Sequence, residues 1–182
     1  GECNDVLQRF EIVQKYQPSN KAIEFKDKLV EEVCVRNFDL NGDGKLSYKE
    51  AARVEIIKRN SGSTSFFEEY TKQITSFDEL QYFVNLKEVG DWAFFDCTSL
   101  TSITLPECLQ EIGFRAFFNC KNLTSITLPE GLQTIESYAF VDCTSLASVT
   151  LPEDLQTIGD CAFNYTSLTT ITIPESVTEI GY

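Results

Sequence analysis

Four copies of one short pattern decide the fold. Residues 97–106 read Cys-Thr-Ser-Leu-Thr-Ser-Ile-Thr-Leu-Pro, and residues 120–129 read Cys-Lys-Asn-Leu-Thr-Ser-Ile-Thr-Leu-Pro, 23 positions later. A third copy, Cys-Thr-Ser-Leu-Ala-Ser-Val-Thr-Leu-Pro at 143–152, keeps this spacing, and a fourth, Tyr-Thr-Ser-Leu-Thr-Thr-Ile-Thr-Ile-Pro at 165–174, is one residue closer. A fixed period of this length is typical of solenoids. The sequence predicts an array of about four repeats that begins near residue 74.

The composition of each repeat indicates one solenoid coil. Leu-x-x-Ile-x-Leu-Pro supplies alternating inward residues for a short strand, and the proline ends that strand. Strands of successive coils would lie parallel, about 4.8 Å apart, so that equivalent side chains form ladders. An Ala-Phe pair closes each repeat, and its rings are predicted to be core rather than a cofactor site. The predicted ladder contains Phe94, Phe117, Phe140 and Phe163.

The full unit, C-x-x-L-x-x-I-x-L-P-x-x-L-x-x-I-x-x-x-A-F, closely resembles the repeat of the BspA-like leucine-rich repeat family of bacterial surface proteins. The resemblance covers about residues 77–182, and it departs from the family at Tyr165, where Cys is expected, and after Tyr182, where Ala-Phe is missing. It implies an α/β solenoid, a leucine-rich repeat of short parallel strands in 23-residue coils. It also implies a protein that binds macromolecules at the bacterial surface, in some members as an adhesin for host matrix or plasma proteins.

The first third of the chain has a different character. Helical spacing of apolar residues over 6–13 and 23–33 predicts two helices, the second capped at its start by Pro18-Ser19-Asn20. We expect residues 1–65 to form a helical cap over the exposed end of the array, since solenoid ends need covering. Residues 66–182 are then the solenoid, and 66–96 are its degenerate first coil. Cap and array are expected to share one core.

A calcium-binding pattern lies inside this cap. Residues 39–50, Asp-Leu-Asn-Gly-Asp-Gly-Lys-Leu-Ser-Tyr-Lys-Glu, match the EF-hand loop D-x-[DN]-x-[DN]-G-x5-E at every position. The predicted oxygen ligands are Asp39, Asn41, Asp43, the backbone carbonyl of Lys45, Ser47 through a water molecule, and Glu50. With three carboxylates and one loop copy, the pattern favours a weak, structural Ca²⁺ site suited to extracellular calcium. A metal-free helix-turn-helix and a dockerin-like docking motif are the alternatives.

Composition excludes several classes of function. With 28 acidic and 15 basic residues the net charge is −13, which disfavours nucleic acids and anionic membranes as partners. No apolar run approaches the roughly 20 residues of a membrane helix, so membrane insertion is not expected. The chain has no His, which removes Ser-His-Asp and Cys-His nucleophile systems. The seven cysteines lack a C-x-x-C motif, and Cys97, Cys120 and Cys143 are predicted to be buried free thiols.

Three surfaces of the array are candidates for binding. The strand face opposite the core is predicted to present a ladder of hydroxyls and is the candidate partner-binding face: Ser102, Thr104, Ser125, Thr127, Ser148, Thr150, Thr170 and Thr172. A stripe of carboxylates follows the repeat prolines, either a docking site for a basic patch or simply a solvated edge: Glu107, Glu130, Glu153 and Glu175. Aromatic residues at variable positions are expected to cluster on the convex side, as packing or as a binding patch: Trp92, Phe114, Phe118 and Tyr138.

These features predict a non-enzymatic bacterial cell-surface binding protein. Its leucine-rich repeat face would serve protein–protein interaction or adhesion to host macromolecules, with Ca²⁺ as the structural cofactor. The alternative is a structural spacer or a glycan-binding module of a longer surface protein. An extracellular or cell-surface location is expected, with any signal or anchor outside this chain, because the first residues lack a signal-peptide pattern.

Overall fold

The structure is a computed structural model, and it describes residues 18–182. Its elements, in chain order, are α1 (Lys28–Phe38), α2 (Tyr48–Ala51), β1 (Ile56–Ile57), a 3-10 helix (Glu68–Tyr70), β2 (Ser76–Phe77), a 3-10 helix (Asp78–Tyr82), β3 (Glu88–Val89), β4 (Ser102–Ile103), β5 (Glu111–Ile112), β6 (Ser125–Thr127), β7 (Thr134–Ile135), β8 (Ser148–Thr150), β9 (Thr157–Ile158) and β10 (Glu179–Ile180). The strands are short because each coil turns after two or three extended residues.

The strands stack into a parallel solenoid of about five coils, each about 23 residues long. One six-stranded sheet has the order β1-β3-β5-β7-β9-β10, and two shorter sheets pair β2 with β4 and β6 with β8. The six-stranded sheet begins at Ile56, inside the segment assigned from sequence to the cap. The parallel stacking predicted from the repeat is confirmed.

The phenylalanine ladder forms the centre of the array. The rings of Phe94 and Phe117 are 4.9 Å apart, those of Phe117 and Phe140 are 5.2 Å apart, and those of Phe140 and Phe163 are 5.3 Å apart. Their planes are parallel to within 4°. The first three side chains are fully buried, and Phe163 in the last coil is half-buried. The ladder is therefore core, as predicted.

The amino-terminal region starts differently from the prediction. The second helix was expected to be capped near Asn20, but α1 begins at Lys28 and its N-cap is Asp27, whose side chain accepts the Leu29 N–H. The prediction is wrong because the segment before α1 is extended: Ala22 forms an antiparallel bridge with Ser47 across the chain. The predicted helix at 6–13 lies outside the described residues.

Aromatic contacts join this region to the array. Phe38, at the end of α1, stacks on Phe66 at 5.7 Å and meets the ring of Phe83 edge-on at 6.0 Å. Phe67 in turn lies 5.4 Å from Phe94, the first member of the ladder. One continuous cluster of buried side chains runs from residue 23 to residue 162, so both parts share a core, as expected. None of the helices in residues 18–182 has the length and apolar character needed to cross a membrane.

Candidate functional site

The centre of the predicted hydroxyl face lies on β6 and β8. Ser125 is in register with Ser148, and Thr127 is in register with Thr150. All four side chains are exposed, while Ile126 between them is buried. This alternation follows from the two-residue period of a strand, which sends successive side chains to opposite faces. The structure thus brings four predicted residues together on one flat, polar surface.

At the start of the face, the hydroxyls are already engaged. The Ser102 hydroxyl donates to Asp78 Oδ2 at 3.1 Å, and the Thr104 hydroxyl donates to Asp78 Oδ1 at 3.4 Å. Lys26 Nζ lies 3.6 Å from the same carboxylate. Sequence reasoning missed Asp78, although its place in the degenerate first coil, one repeat before Ser102, was a usable signal.

At the other end, Thr170 and Thr172 are exposed but belong to no strand. They line, together with Thr150 and Glu153, a shallow depression of about 220 Å³. Its lining combines three threonines with the apolar residues Val149, Leu151, Ile171 and Pro174, and Glu153 is its one carboxyl group, so it lacks the pair of carboxyl groups that acid–base catalysis uses. The depression suits surface recognition better than enclosure of a small substrate.

The predicted calcium loop has a tightly hydrogen-bonded backbone. Asp39 accepts the N–H groups of Gly42 and Gly44, both at 2.8 Å. Asn41 Oδ1 accepts the Asp43 N–H at 2.8 Å, and Asp43 Oδ1 accepts the Lys45 N–H at 2.9 Å. The two glycines have φ angles of +74° and +77°, a conformation in which other residues are strained. The side chains of these loop residues therefore shape the turn itself.

The carboxylate of Glu50, the last residue of the loop, binds residues near both ends of the loop. Its Oε1 accepts the Leu40 and Asn41 N–H groups, and its Oε2 accepts the Ser47 N–H and hydroxyl. The Ser47 hydroxyl is the main reason that the pKa of Glu50 is lowered, with the backbone N–H bonds adding to it against the opposing effect of burial. Within residues 18–182, no three His, Cys, Asp or Glu side chains are grouped so as to hold a metal ion.

The chain braces the exit of this loop with its own amino-terminal segment. The Ile23 N–H donates to the Leu46 carbonyl at 2.8 Å, and the Tyr48 N–H donates to the Lys21 carbonyl at 3.1 Å. The extended residues 21–23 thus pair with residues 46–48, at the place where a second copy of the loop would pair if the chain had one. Sequence reasoning missed this pairing, because it assigned residues 21–23 to a helix.

The described cysteines are thiols suited to packing rather than to chemistry. Cys34, Cys97, Cys108, Cys120, Cys143 and Cys161 are all free, and Cys3 lies outside the described residues. Burial raises the pKa of Cys97 and of Cys120 well above the ordinary value, so both remain protonated and unreactive. The Cys120 and Cys143 thiols donate to the carbonyls of Phe94 and Phe117, one coil away.

The remaining candidate surfaces are also in place. The four carboxylates that follow the repeat prolines are all exposed, at Glu107, Glu130, Glu153 and Glu175. The predicted aromatic cluster forms: Trp92 lies 5.9 Å from Phe114, and Phe114 lies 5.8 Å from Tyr138. Phe118 stacks on Phe95 at 5.1 Å. Their side chains are half-buried, so packing and partial exposure coexist there.

Comparison with known proteins agrees with this architecture. The family described as BspA type leucine rich repeat region matches residues 63–182 in six copies, two more than the repeat pattern alone suggested. The chain belongs to the BspA-type leucine-rich repeat family. The matched range begins at residue 63 and so includes the degenerate first coil, where Asp78 and the 3-10 helices replace the regular pattern.

Three solved structures resemble this BspA-type chain. A leucine-rich repeat protein of T. pallidum is 42% identical with a TM-score of 0.52, over 53% of this chain and 45% of that one. One from Bacteroides ovatus is 40% identical with a TM-score of 0.51, over 53% and 25%. A leucine rich cell surface protein of Faecalibacterium prausnitzii is 33% identical with a TM-score of 0.44, over 59% and 35%. The matches thus span less than half of each relative.

No curated protein matches the chain. The leucine-rich repeat fold is typically a non-enzymatic scaffold for binding other proteins.

Proposed function

We propose that this protein is a non-enzymatic binding module that recognises another protein through its hydroxyl face. One observation carries the proposal: on the parallel strands β6 and β8, two rows of exposed Ser and Thr side chains lie in register. Hydroxyls both donate and accept hydrogen bonds, so such a face can pair with the polar groups of a partner without a buried charge. The relevant residues are Ser125, Thr127, Ser148 and Thr150.

The family resemblance supports an extracellular setting and an adhesive role. BspA-like proteins are associated with bacterial surfaces, where host matrix or plasma proteins are the available macromolecules. The strongly negative net charge keeps such a module soluble and discourages nonspecific adsorption to nucleic acid. Binding to a host macromolecule is therefore the form of recognition that we propose for the intact protein.

The test is binding of the purified chain to a panel of immobilised extracellular-matrix and plasma proteins in 150 mM salt. Saturable binding to at least one protein is expected, and the double variant Thr127→Lys with Thr150→Lys should weaken it by roughly tenfold or more, because two charges would be buried without partners. Absence of binding to the whole panel would favour a spacer instead.

A matched control separates the face from the total charge. Gln133 and Gln156 are also exposed, belong to the same two coils and precede strands of the other sheet. Gln133→Lys with Gln156→Lys adds the same charge away from the hydroxyls. If both double variants reduce binding equally, the hydroxyl face is not the binding surface.

We also propose that the loop 39–50 binds Ca²⁺ as a structural brace. Asp39 uses both carboxylate oxygens, one for the Gly42 N–H and one for the Gly44 N–H, while Asn41 Oδ1 and Asp43 Oδ1 each accept one N–H. Each of these oxygens has a second lone pair that suits a hard cation. Glu50 would have to turn from the amides that it now binds. Such a rearrangement favours weak binding, in keeping with millimolar extracellular calcium.

The calcium proposal is tested by thermal melts in about 5 mM Ca²⁺ and in excess chelator. That concentration exceeds the dissociation constants of extracellular calcium sites, roughly 10⁻⁴–10⁻³ M. Calorimetric titration with Ca²⁺ measures the affinity directly. An increase in Tm with calcium is expected. Asp43→Asn retains the oxygen that accepts the Lys45 N–H but removes a charge, so it should reduce the calcium-dependent increase. The exposed Asp154→Asn serves as control. An unchanged Tm in the wild type, with no heat of binding in the titration, would overturn the proposal.

A further inference from the structure

An arginine–aromatic cluster lies just beyond the carboxyl ends of the strands of the six-stranded sheet. Trp92, Arg115 and Tyr138 hold the same position in successive repeats, three residues after the inward-facing Val89, Ile112 and Ile135. All three have left-handed backbones, with φ angles of 60°, 53° and 62°. The repeat therefore stacks a guanidinium between an indole and a phenol. We define the cluster as Arg59, Trp92, Phe114, Arg115, Phe118 and Tyr138.

The guanidinium of Arg115 is surrounded by rings. Its Cζ lies 4.9 Å from the centre of the Trp92 ring and 5.3 Å from that of Tyr138. The rings of Phe114 and Phe118 are 5.1 Å and 5.3 Å away. Arg59, which follows β1, adds a second guanidinium 5.2 Å from the Trp92 ring. Trp92 thus receives one cation from each neighbouring coil.

Both guanidiniums lack an acidic partner in the described part of the chain. Neither Arg59 nor Arg115 forms an ion pair within residues 18–182, and the buried Nε of Arg115 has no hydrogen-bond partner. Asp91, which lies beside the cluster, uses its Oδ1 to accept the Phe114 N–H at 2.9 Å. In a chain with 28 acidic residues, Arg59 and Arg115 are therefore two cations whose charge no ion pair within the described residues neutralises.

The free hydrogen-bonding groups define the ligand chemistry. A guanidinium presents its N–H donors in a planar fork that matches a carboxylate, and aromatic rings carry positive charge at their edges. Each of the four rings turns one face towards Arg115, which leaves less ring surface for stacking against a sugar. N–H donors and ring edges remain, and these attract carboxylates flanked by apolar groups.

We propose that the arginine–aromatic cluster binds an acidic peptide segment of a partner protein. Carboxylates of the segment accept hydrogen bonds from the N–H groups of Arg59 and Arg115. The aliphatic parts of its side chains pack against Trp92 and Tyr138. The rest of the array repels an acidic chain, since residues 87–182 without Arg115 contain 13 acidic and 2 basic residues. Binding is therefore confined to the cluster. This surface is separate from the hydroxyl face, so either proposal can fail alone.

Trp92 is the only tryptophan of the chain, and its fluorescence reports directly on the cluster. The probe is a synthetic peptide of alternating Glu and Leu residues, titrated at 20 mM and at about 150 mM salt, near physiological ionic strength. We expect a saturable change in Trp92 fluorescence that weakens as salt rises. Chitin and heparin oligosaccharides are titrated in parallel.

Arg59→Gln is the decisive variant, because the exposed Arg59 can be changed without disturbing the core. Loss of one charged hydrogen-bonding partner should weaken peptide binding about tenfold. Arg115→Lys, which keeps the charge and loses the fork, should also weaken it. Lys121→Gln removes an exposed charge elsewhere in the array and should have no effect.

Three results would overturn the proposal. The first is no saturable fluorescence change with the acidic peptide. The second is equal affinity in the wild type and in Arg59→Gln. The third is tighter binding of either oligosaccharide than of the peptide, which would assign the cluster to glycan recognition instead.

Discussion

The array and the amino-terminal region are stabilised in different ways. In the array, equivalent side chains stack from coil to coil, as the rings of Phe94, Phe117 and Phe140 do. In the region before residue 56, single carboxylates bind particular backbone groups: Asp27 accepts N–H groups of Leu29 and Thr75, and Glu50 closes its loop. The array therefore distributes its stability over many similar contacts, whereas the amino-terminal region depends more on a few individual carboxylates.

The largest loss of stability is expected when a ring in the middle of the phenylalanine ladder is removed. Phe117→Ala removes a fully buried ring that stacks on Phe94 at 4.9 Å and on Phe140 at 5.2 Å. Urea unfolding followed by circular dichroism should show a loss of about 3–5 kcal/mol. The matched control is Phe163→Ala, because Phe163 is half-buried and stacks on one neighbour in the ladder. An equal loss in both variants would show that stacking between coils is not what stabilises the array.

The second prediction concerns the carboxylate that joins the two regions. Asp27 caps α1 through Oδ1 and accepts the Thr75 N–H and hydroxyl through Oδ2. Asp27→Ala should lower the free energy of unfolding by about 1–3 kcal/mol, because the cap and a link to the first coil are lost together. Asp27→Asn retains one acceptor oxygen and should lose less. If Asn is as stable as Asp in urea unfolding, the second oxygen contributes nothing to the junction.

The third prediction is a substitution that should raise the free energy of unfolding. Glu79 is 7% exposed and its Oε1 accepts the Lys26 N–H at 2.9 Å, but its buried Oε2 has no partner among the described residues. Glu79→Gln keeps an acceptor for Lys26 and removes a buried charge, so a gain of about 1 kcal/mol is expected in urea unfolding at pH 7. The exposed Glu107→Gln should leave stability unchanged. A loss of stability in Glu79→Gln would mean that its charge is needed at this junction.

The smallest effect is a difference in pH response. Glu88 and Glu111 face each other in neighbouring strands of the array. Burial raises the pKa of Glu88, and Asp91 adds to this; burial likewise raises the pKa of Glu111, with further contributions from Glu88 and other nearby carboxylates. For Asp27, burial alone would raise the pKa, but hydrogen bonds from Thr75 and the start of α1 outweigh it and lower the pKa.

The two groups of carboxylates therefore act in opposite directions. A raised pKa means that the folded state takes up a proton before the unfolded chain does, so falling pH stabilises the array. A lowered pKa means that Asp27 and Glu50 contribute stability above about pH 4, and that it is lost as pH falls further. Thermal melts should show Tm rising slightly from pH 7 to about pH 5 and then falling below about pH 4. Glu111→Gln should flatten the rise and leave the fall; an unchanged rise would contradict this assignment.

Much of the array could be predicted because its contacts repeat with the chain. Phe117 meets Phe140 because both occupy one position in units 23 residues apart. The exposed Ser125 and Thr127 alternate with the buried Ile126 because a strand has a two-residue period. The start of α1 could not be predicted in this way. Asn20 and Asp27 are both good N-cap residues, and the choice between them depends on the pairing of residues 21–23 with residues 46–48.

The sequence by itself determined the solenoid, its parallel strands, the phenylalanine core and the outward hydroxyls, because a periodic chain places equivalent residues at equivalent positions. Only the tertiary structure decided which of those hydroxyls are held by Asp78, that Glu79 is buried with an unpaired oxygen, and that Arg59 meets Trp92. These contacts join irregular segments to the repeat. Glu79 and Arg59 lie outside the regular repeat pattern, so their surroundings are set by how the amino-terminal region packs on the first coils.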